Sequence, residues 1–388
     1  MESGRIKILV ASLTVLLAFA GFAGGASAGT IVADSGFRVE PNGFSFANYG
    51  NEEGYRNLDG SQMRRTFGNA VCMPGSARTC VLTPAARSLM AQFNDAMGGG
   101  HCYGFSALAW MAEKGQLDRF GYRSIDAFGG GPDAFDLTIT GNVKLQRAIA
   151  RAFIFQVLPS VNARTITGTP AHIVEELRTR LTATNPETYT LTIFQPGFEG
   201  GHAITPFQLE DIGSGRYLIH VYDNNWPGDA TRAVEVDTTA NTWKYLAATS
   251  PDVPGSVYRG DAVTKTMRLM PTSPGLGVQE CTFCVGRRGA RSKFNEVTLS
   301  ASGRQSAHLL ITDPKGRRLG FDGGSTVNEI PGARILPRTS GGPQLAADGS
   351  LLSTGDTLEP VYRVPRGLAL KIRVDGSGLT REDTESVS

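Results

Sequence analysis

Apolar residues keep a helical period from Thr83 to about Leu181 and then, from Tyr189, fall into short alternating runs. That change of period decides what the chain can build. Helices placed ahead of a series of strands do not make βαβ units, so the order predicts an α+β fold with helices packed on an antiparallel β-sheet. Thr83 is a natural N-cap, Pro84 suits the first helical position, and Ala86, Leu89, Met90, Phe93 and Met97 recur at helical spacing up to Gly98-Gly99-Gly100. A second helix opens at about Cys102 with Phe105, Leu108, Ala109 and Ala112 on one face, and a third spans roughly 143–157. A fourth starts at Thr169-Pro170, with Glu175 and Glu176 early and Arg178 and Arg180 late, matching the helix dipole. Residues 30–82 are rich in Gly, Asn and Ser and read as loops and short strands. Later β-prone runs lie at 189–195, 203–212, 216–223, 233–237 and 242–246, separated by turns such as Gly213-Ser214-Gly215. Pro251, Pro254, Pro271 and Pro274 mark a connection, and runs at 296–300, 307–312 and 368–374 predict a small all-β, sandwich-like appendage. The expected domains are therefore 30–270 and 280–388.

The first residues belong to export. Arg5 and Lys7 precede an apolar run from Ile8 to Phe22, and Ala26-Ser27-Ala28 fits signal-peptidase cleavage after Ala28. Residues 1–28 are thus expected to be a Sec-type signal peptide, with no twin Arg, and the mature protein to be secreted and free of the membrane. Charge excludes a further class. The chain carries 38 Lys and Arg against 36 Asp and Glu, a net charge of +2, which offers no basic surface for nucleic acid.

An oxidising compartment changes the meaning of the cysteines. Cys72 and Cys80 flank a Pro-Gly-Ser turn and predict one disulfide; Cys281 and Cys284 form a C-x-x-C pair and predict a second. No second C-x-x-C or His pair accompanies the latter, so no metal site is expected. Cys102 is left unpaired, as an intermolecular bridge or a reactive thiol.

The segment Gly98–Trp110 reads G-G-G-H-C-Y-G-F-S-A-L-A-W. Three glycines bring the backbone close to a cysteine at the start of an amphipathic helix, where unpaired N–H groups and the positive end of the dipole favour a thiolate nucleophile. Gly200-Gly201-His202-Ala203 puts a histidine at the head of a strand, and the next strand ends in Tyr222-Asp223-Asn224-Asn225-Trp226. Adjacent antiparallel strands can present His202 and this polar cluster side by side. A thiol needs a base, and the base needs a third group on its other ring nitrogen, so Cys102, His202 and Asp223 or Asn224 form the candidate constellation.

At these residues the chain resembles the papain-like cysteine peptidases. In that superfamily a nucleophilic Cys followed by an aromatic residue opens the central helix, the His leads a strand as H-A, and an Asn precedes a Trp. Cys102-Tyr103, His202-Ala203 and Asn224-Asn225-Trp226 take those places. The resemblance covers residues 85–248 at most and implies amide hydrolysis through an acyl-enzyme, without a cofactor, on a peptide or peptidoglycan-like substrate. Departures are visible. G-H-C-Y-G replaces the family's C-G-S-C-W, and His202 follows Cys102 by 100 residues where about 130 to 150 is usual, which suggests a compact bacterial variant. The family supplies an oxyanion donor from a Gln just upstream of the Cys. Position 96 is Ala here, leaving Gln92 and Asn94 as candidates beside the backbone N–H of Cys102. Asp223 is favoured over Asn224 because a carboxylate holds an imidazolium more strongly than an amide does.

Two other readings compete. C-x-G-F also resembles the D-C-S-G-F box of NlpC-type cell-wall peptidases, although His101 and Tyr103 replace the Asp and Ser. A non-catalytic extracellular binding protein on a peptidase-like fold is the other. The remaining histidines read as ordinary: His172 on a solvated helix face, His220 on the opposite sheet face from Asp223, His308 in the appendage without a near partner, and His101 pointing away from the helix that follows it. H-E-x-x-H, P-loop, G-x-S-x-G and dinucleotide fingerprints are absent.

Overall fold

The computed structural model describes residues 29–76, 78–198, 200–247, 257–284, 293–301, 307–323, 325–337, 344–345, 351–353, 359–377 and 385–387. The expected signal segment, 1–28, lies outside them, as do Pro251 and Pro254 of the expected connection.

Local signals set most helix starts. Helix α1 (Gly60–Phe67) begins where the Asp59 side chain accepts from the N–H groups of Ser61 and Gln62, and it buries Met63 and Phe67. Residues 30–82, expected to be loops and short strands, therefore contain a helix; with only two apolar residues four apart, it is too short for its period to stand out. Thr83 caps α2 (Pro84–Ala96), Asn142 caps α4 (Val143–Phe153) and Thr169 caps α5 (Pro170–Arg180) through side-chain oxygens. Helix α3 (Cys102–Glu113) has no such cap.

Helix α3 is not amphipathic. Every residue from Cys102 to Met111 is buried, because the helix runs through the centre with α4 on one side and strands on the other. Small residues permit it. A Cβ on Gly104 would stand 2.2 Å from the Ile149 carbonyl oxygen of α4. On the opposite side the Ser106 hydroxyl lies 3.0 Å from that of Thr190 and accepts from that of Thr205 at 2.8 Å, so the turn after Cys102 is tied to two strands.

Those strands belong to one curled antiparallel sheet. Its members are β1 (Thr30–Asp34), β2 (Ile166–Thr167), β3 (Tyr189–Phe194), β4 (Gly201–Gly213), β5 (Arg216–Tyr222), β6 (Ala233–Asp237), β7 (Thr242–Leu246), β8 (Val257–Asp261) and β9 (Met267–Pro271). The order is β2-β9-β3-β4-β5-β6-β7-β8, with β1 pairing to β4 outside that path. The long strand β4 pairs with β3 from Gly201 to Ile204 and with β5 from Thr205 onward, so its first residues lie under α3. One apolar cluster fills the helical side, and a second lies between the sheet and α5.

Residues 273–284 return to the helices. Leu276 is in the helical core, Phe283 packs edge-on to Phe67 with ring centroids 5.0 Å apart, and Gln279 N–H donates to the Thr66 carbonyl at 2.7 Å. The first core therefore reaches through Cys284. Cys72–Cys80 and Cys281–Cys284 are both bonded, and Cys102 is free and buried. Two disulfides fit a secreted protein, and no helix among the described residues is long and apolar enough to cross a membrane.

The C-terminal part has its own core. A sheet in the order Ser325–Asn328, Arg318–Asp322, His308–Thr312, Lys371–Asp375 and another in the order Phe294–Val297, Val361–Pro365, Arg334–Leu336 share one apolar cluster that includes Leu309, Ile311, Tyr362 and Val364.

Candidate active site

Gly100, at φ 129°, turns the chain into α3 in a conformation that side-chain-bearing residues rarely adopt. His101 follows, with its backbone N–H donated to Asn48 Oδ1 at 2.6 Å. Its ring points away from the helix as expected: Nδ1 donates to the Tyr49 carbonyl at 2.7 Å and Nε2 faces Asn57 Oδ1 at 2.8 Å. Burial pushes His101 down to about 4, against the raising effect of the Tyr49 bond. Cys102 then opens α3. The N–H groups of its first turn have no intrahelical partner, and no side chain caps them.

The end of β5 supplies the carboxylate. His202, second in β4, donates from Nε2 to Asp223 Oδ1 at 2.7 Å. Asp223 also accepts from the N–H of Asn225 at 2.9 Å and from the hydroxyl of Tyr245, so this fully buried carboxylate is well supplied with donors. Burial raises Asp223, but the His202 charge and the bonds from His202 and Tyr245 outweigh it and hold the carboxyl below the usual range. The reverse holds at His202. Burial alone lowers an imidazolium; the charge and hydrogen bond of Asp223, and then the Cys102 sulfur, overcome it and raise His202 well above its ordinary value.

Cys102 adds to the raising of His202, and the Asn224 amide, bonded to the carbonyls of both Cys102 and Ala203, holds the start of α3 beside the residue that follows His202. The ring nitrogen left for the sulfur is Nδ1, which is buried and has no partner at full hydrogen-bond geometry. Loose thiol–imidazole pairs of this kind are common in sites without substrate. Cys102, His202 and Asp223 have no exposed surface.

Asn224 has a different position. Its Nδ2 donates to the Cys102 carbonyl at 3.2 Å and to the Ala203 carbonyl at 2.9 Å, bracing the start of α3 against β4, while Asp223 takes the histidine. The two oxyanion candidates lie elsewhere. Asn94 spends its amide on both backbone groups of Leu58, at 3.0 and 3.1 Å, and Gln92 faces Ser88 and Thr298. These bonds engage the Asn94 carbonyl and one of its two amide N–H groups with the backbone of Leu58.

Two residues of the site had no sequence signal. Asn48 donates its N–H to the Asn224 carbonyl at 2.8 Å and its amide to Asn225 at 3.1 Å while accepting from His101, so one loop residue fastens both halves. Tyr245 holds the far oxygen of Asp223, and Arg232 donates to its hydroxyl at 3.3 Å. The alternation Trp243/Tyr245 marks Tyr245 as inward-facing, but nothing local marks its partner.

The other histidines lie apart. His172 is a half-exposed helix residue beside Glu176, and His220 pairs with Glu210 at 2.7 Å. His308 does have a partner, Glu359 at 3.0 Å, because a residue 51 positions later returns beside it. Among the described residues, no group of three His, Cys, Asp or Glu could hold a metal ion. Comparison with known proteins adds no relative: no family model, no curated protein and no solved structure matches the chain.

Proposed function

We propose that the protein is a secreted thiol hydrolase of the papain-like kind that cleaves an amide bond in a peptide or peptidoglycan-like substrate. The observation that carries the reading is the His202 ring held between the free Cys102 and the buried Asp223. In that role the thiol proton already resides on the His202 imidazolium, and the sulfur attacks the carbonyl carbon as a thiolate. The amine then leaves with the proton from His202, giving a thioester that water hydrolyses with His202 as base. Asp223 keeps Nε2–H directed at itself, which fixes the tautomer and stabilises the imidazolium. A raised His202 suits the second step, where it must donate.

The test compares the mature protein with Cys102→Ala on peptide and peptidoglycan libraries read by mass spectrometry. Substrates lost with the wild type and kept with the variant support the reading. Identical product patterns from the two proteins overturn it.

One observation favours a second reading, a non-catalytic extracellular binding protein: the sulfur and the ring have no exposed surface. Iodoacetamide separates the two. A hydrolase opens often enough for Cys102 to be carboxamidomethylated in the native state, whereas a sealed remnant is labelled only with global unfolding.

A further inference from the structure

Strands β7 and β8 place Tyr245 and Tyr258 directly opposite each other, so their side chains leave the sheet on the same face. Both are fully buried. The Tyr245 hydroxyl ends on Asp223, whereas the Tyr258 hydroxyl has no hydrogen-bond partner among the described residues. A buried hydroxyl without a partner is uncommon in a folded protein and asks for an explanation. Paired opposite Tyr245, Tyr258 lies on the sheet face from which Tyr245 reaches Asp223, and burial, then the charge of Cys102, raises its phenol so that the hydroxyl remains a donor. Tyr49, the other phenol orphaned in this way, answers to Tyr55 and Glu52 instead.

Resting on the hydrolase reading above, we propose that Tyr258 is a further catalytic residue, donating its O–H hydrogen bond to the substrate carbonyl oxygen as that oxygen becomes anionic. The sulfur of Cys102 forms a bond to the carbonyl carbon, and the C=O electron pair moves onto oxygen. There the Tyr258 hydroxyl and the Cys102 backbone N–H meet it. When the pair returns, the C–N bond breaks and the amine leaves with the proton from His202. Tyr258 keeps its own proton throughout.

Tyr258→Phe tests this in the full mature chain with two probes. p-Nitrophenyl acetate acylates the sulfur through an anionic oxygen; iodoacetamide alkylates it at a saturated carbon and needs no such donor. The variant is expected to lose about 10-fold or more in acetylation of Cys102 while its alkylation rate stays within about threefold of the wild type. Its melting temperature should equal or exceed that of the wild type, because the hydroxyl removed has no partner. Unchanged acetylation overturns the proposal. So does an equal change in both rates, which would assign the hydroxyl to the sulfur, and so does a lower melting temperature, which would make it structural. A wild type that neither probe labels at Cys102 removes the hydrolase reading itself, an outcome distinct from failure at Tyr258.

Discussion

His202 Nε2 donates to Asp223 Oδ1 across 2.7 Å, and these two residues sit at adjoining ends of β4 and β5 with 20 residues of chain between them. A carboxylate so placed, fully buried and bonded to an imidazole whose charge it raises, is a functional-site candidate on physical grounds alone.

Asp223→Asn keeps an acceptor in place but removes the charge that raises His202. Acylation of Cys102 by an activated ester should fall by about 10²-fold or more, with the fold retained by circular dichroism. Asn224→Ala should behave differently. Two buried carbonyls, of Cys102 and Ala203, lose their donor, so stability in urea should drop by about 2 kcal/mol or more.

Two histidines should give stability opposite pH limbs. His202 is raised on folding from 6.5 to about 10, so the folded state holds a proton that the unfolded state releases above pH 6.5. The stability it contributes is complete below 6.5 and is lost as pH rises toward 10. His101 is lowered to about 4, so its contribution is complete above 6.5 and is lost as pH falls toward 4. Melting temperatures measured from pH 4 to 10 should fall at both ends. His202→Gln should flatten the alkaline limb and His101→Gln the acid one; an unchanged limb in either variant contradicts the corresponding assignment.

Native thiol titration should find one sulfhydryl per chain, since the other four cysteines are bonded. Because Cys102 is wholly buried, iodoacetamide should label it faster than a bulky aromatic disulfide reagent does, and mild denaturant should abolish the difference.

Gly104→Ala should destabilise strongly, because the new methyl would meet the Ile149 carbonyl oxygen at 2.2 Å and force α3 off α4. A loss of about 1–3 kcal/mol is expected from overpacking of this kind. Gly141→Ala, where a Cβ meets nothing within 4 Å but φ is 73°, controls for backbone strain alone.

The separate C-terminal core predicts that a chain ending after Cys284 keeps iodoacetamide labelling at Cys102. Ending it after Gly275 removes Leu276, Gln279 and the Cys281–Cys284 bridge from the helical core, and the melting temperature should fall.

The sequence by itself determined the elements that announce themselves locally. Thr83, Asn142 and Thr169 are capping residues whose oxygens reach only a few positions along the chain, and the α2 and α5 starts were legible for that reason. The leftover cysteine followed from compartment and spacing, and the strand ends carrying His202 and Asp223 followed from alternation and turn residues. Tertiary structure decided everything that depends on two distant segments meeting. Leu58, 36 positions away, engages the Asn94 carbonyl and one of its N–H groups. His308 looked solitary until Glu359 returned beside it. Tyr245 on Asp223, Asn48 across both loops and the burial of α3 on all sides have no local signature, because a hydrogen bond between residues far apart in the chain is specified by how the whole core packs and not by the residues flanking either partner.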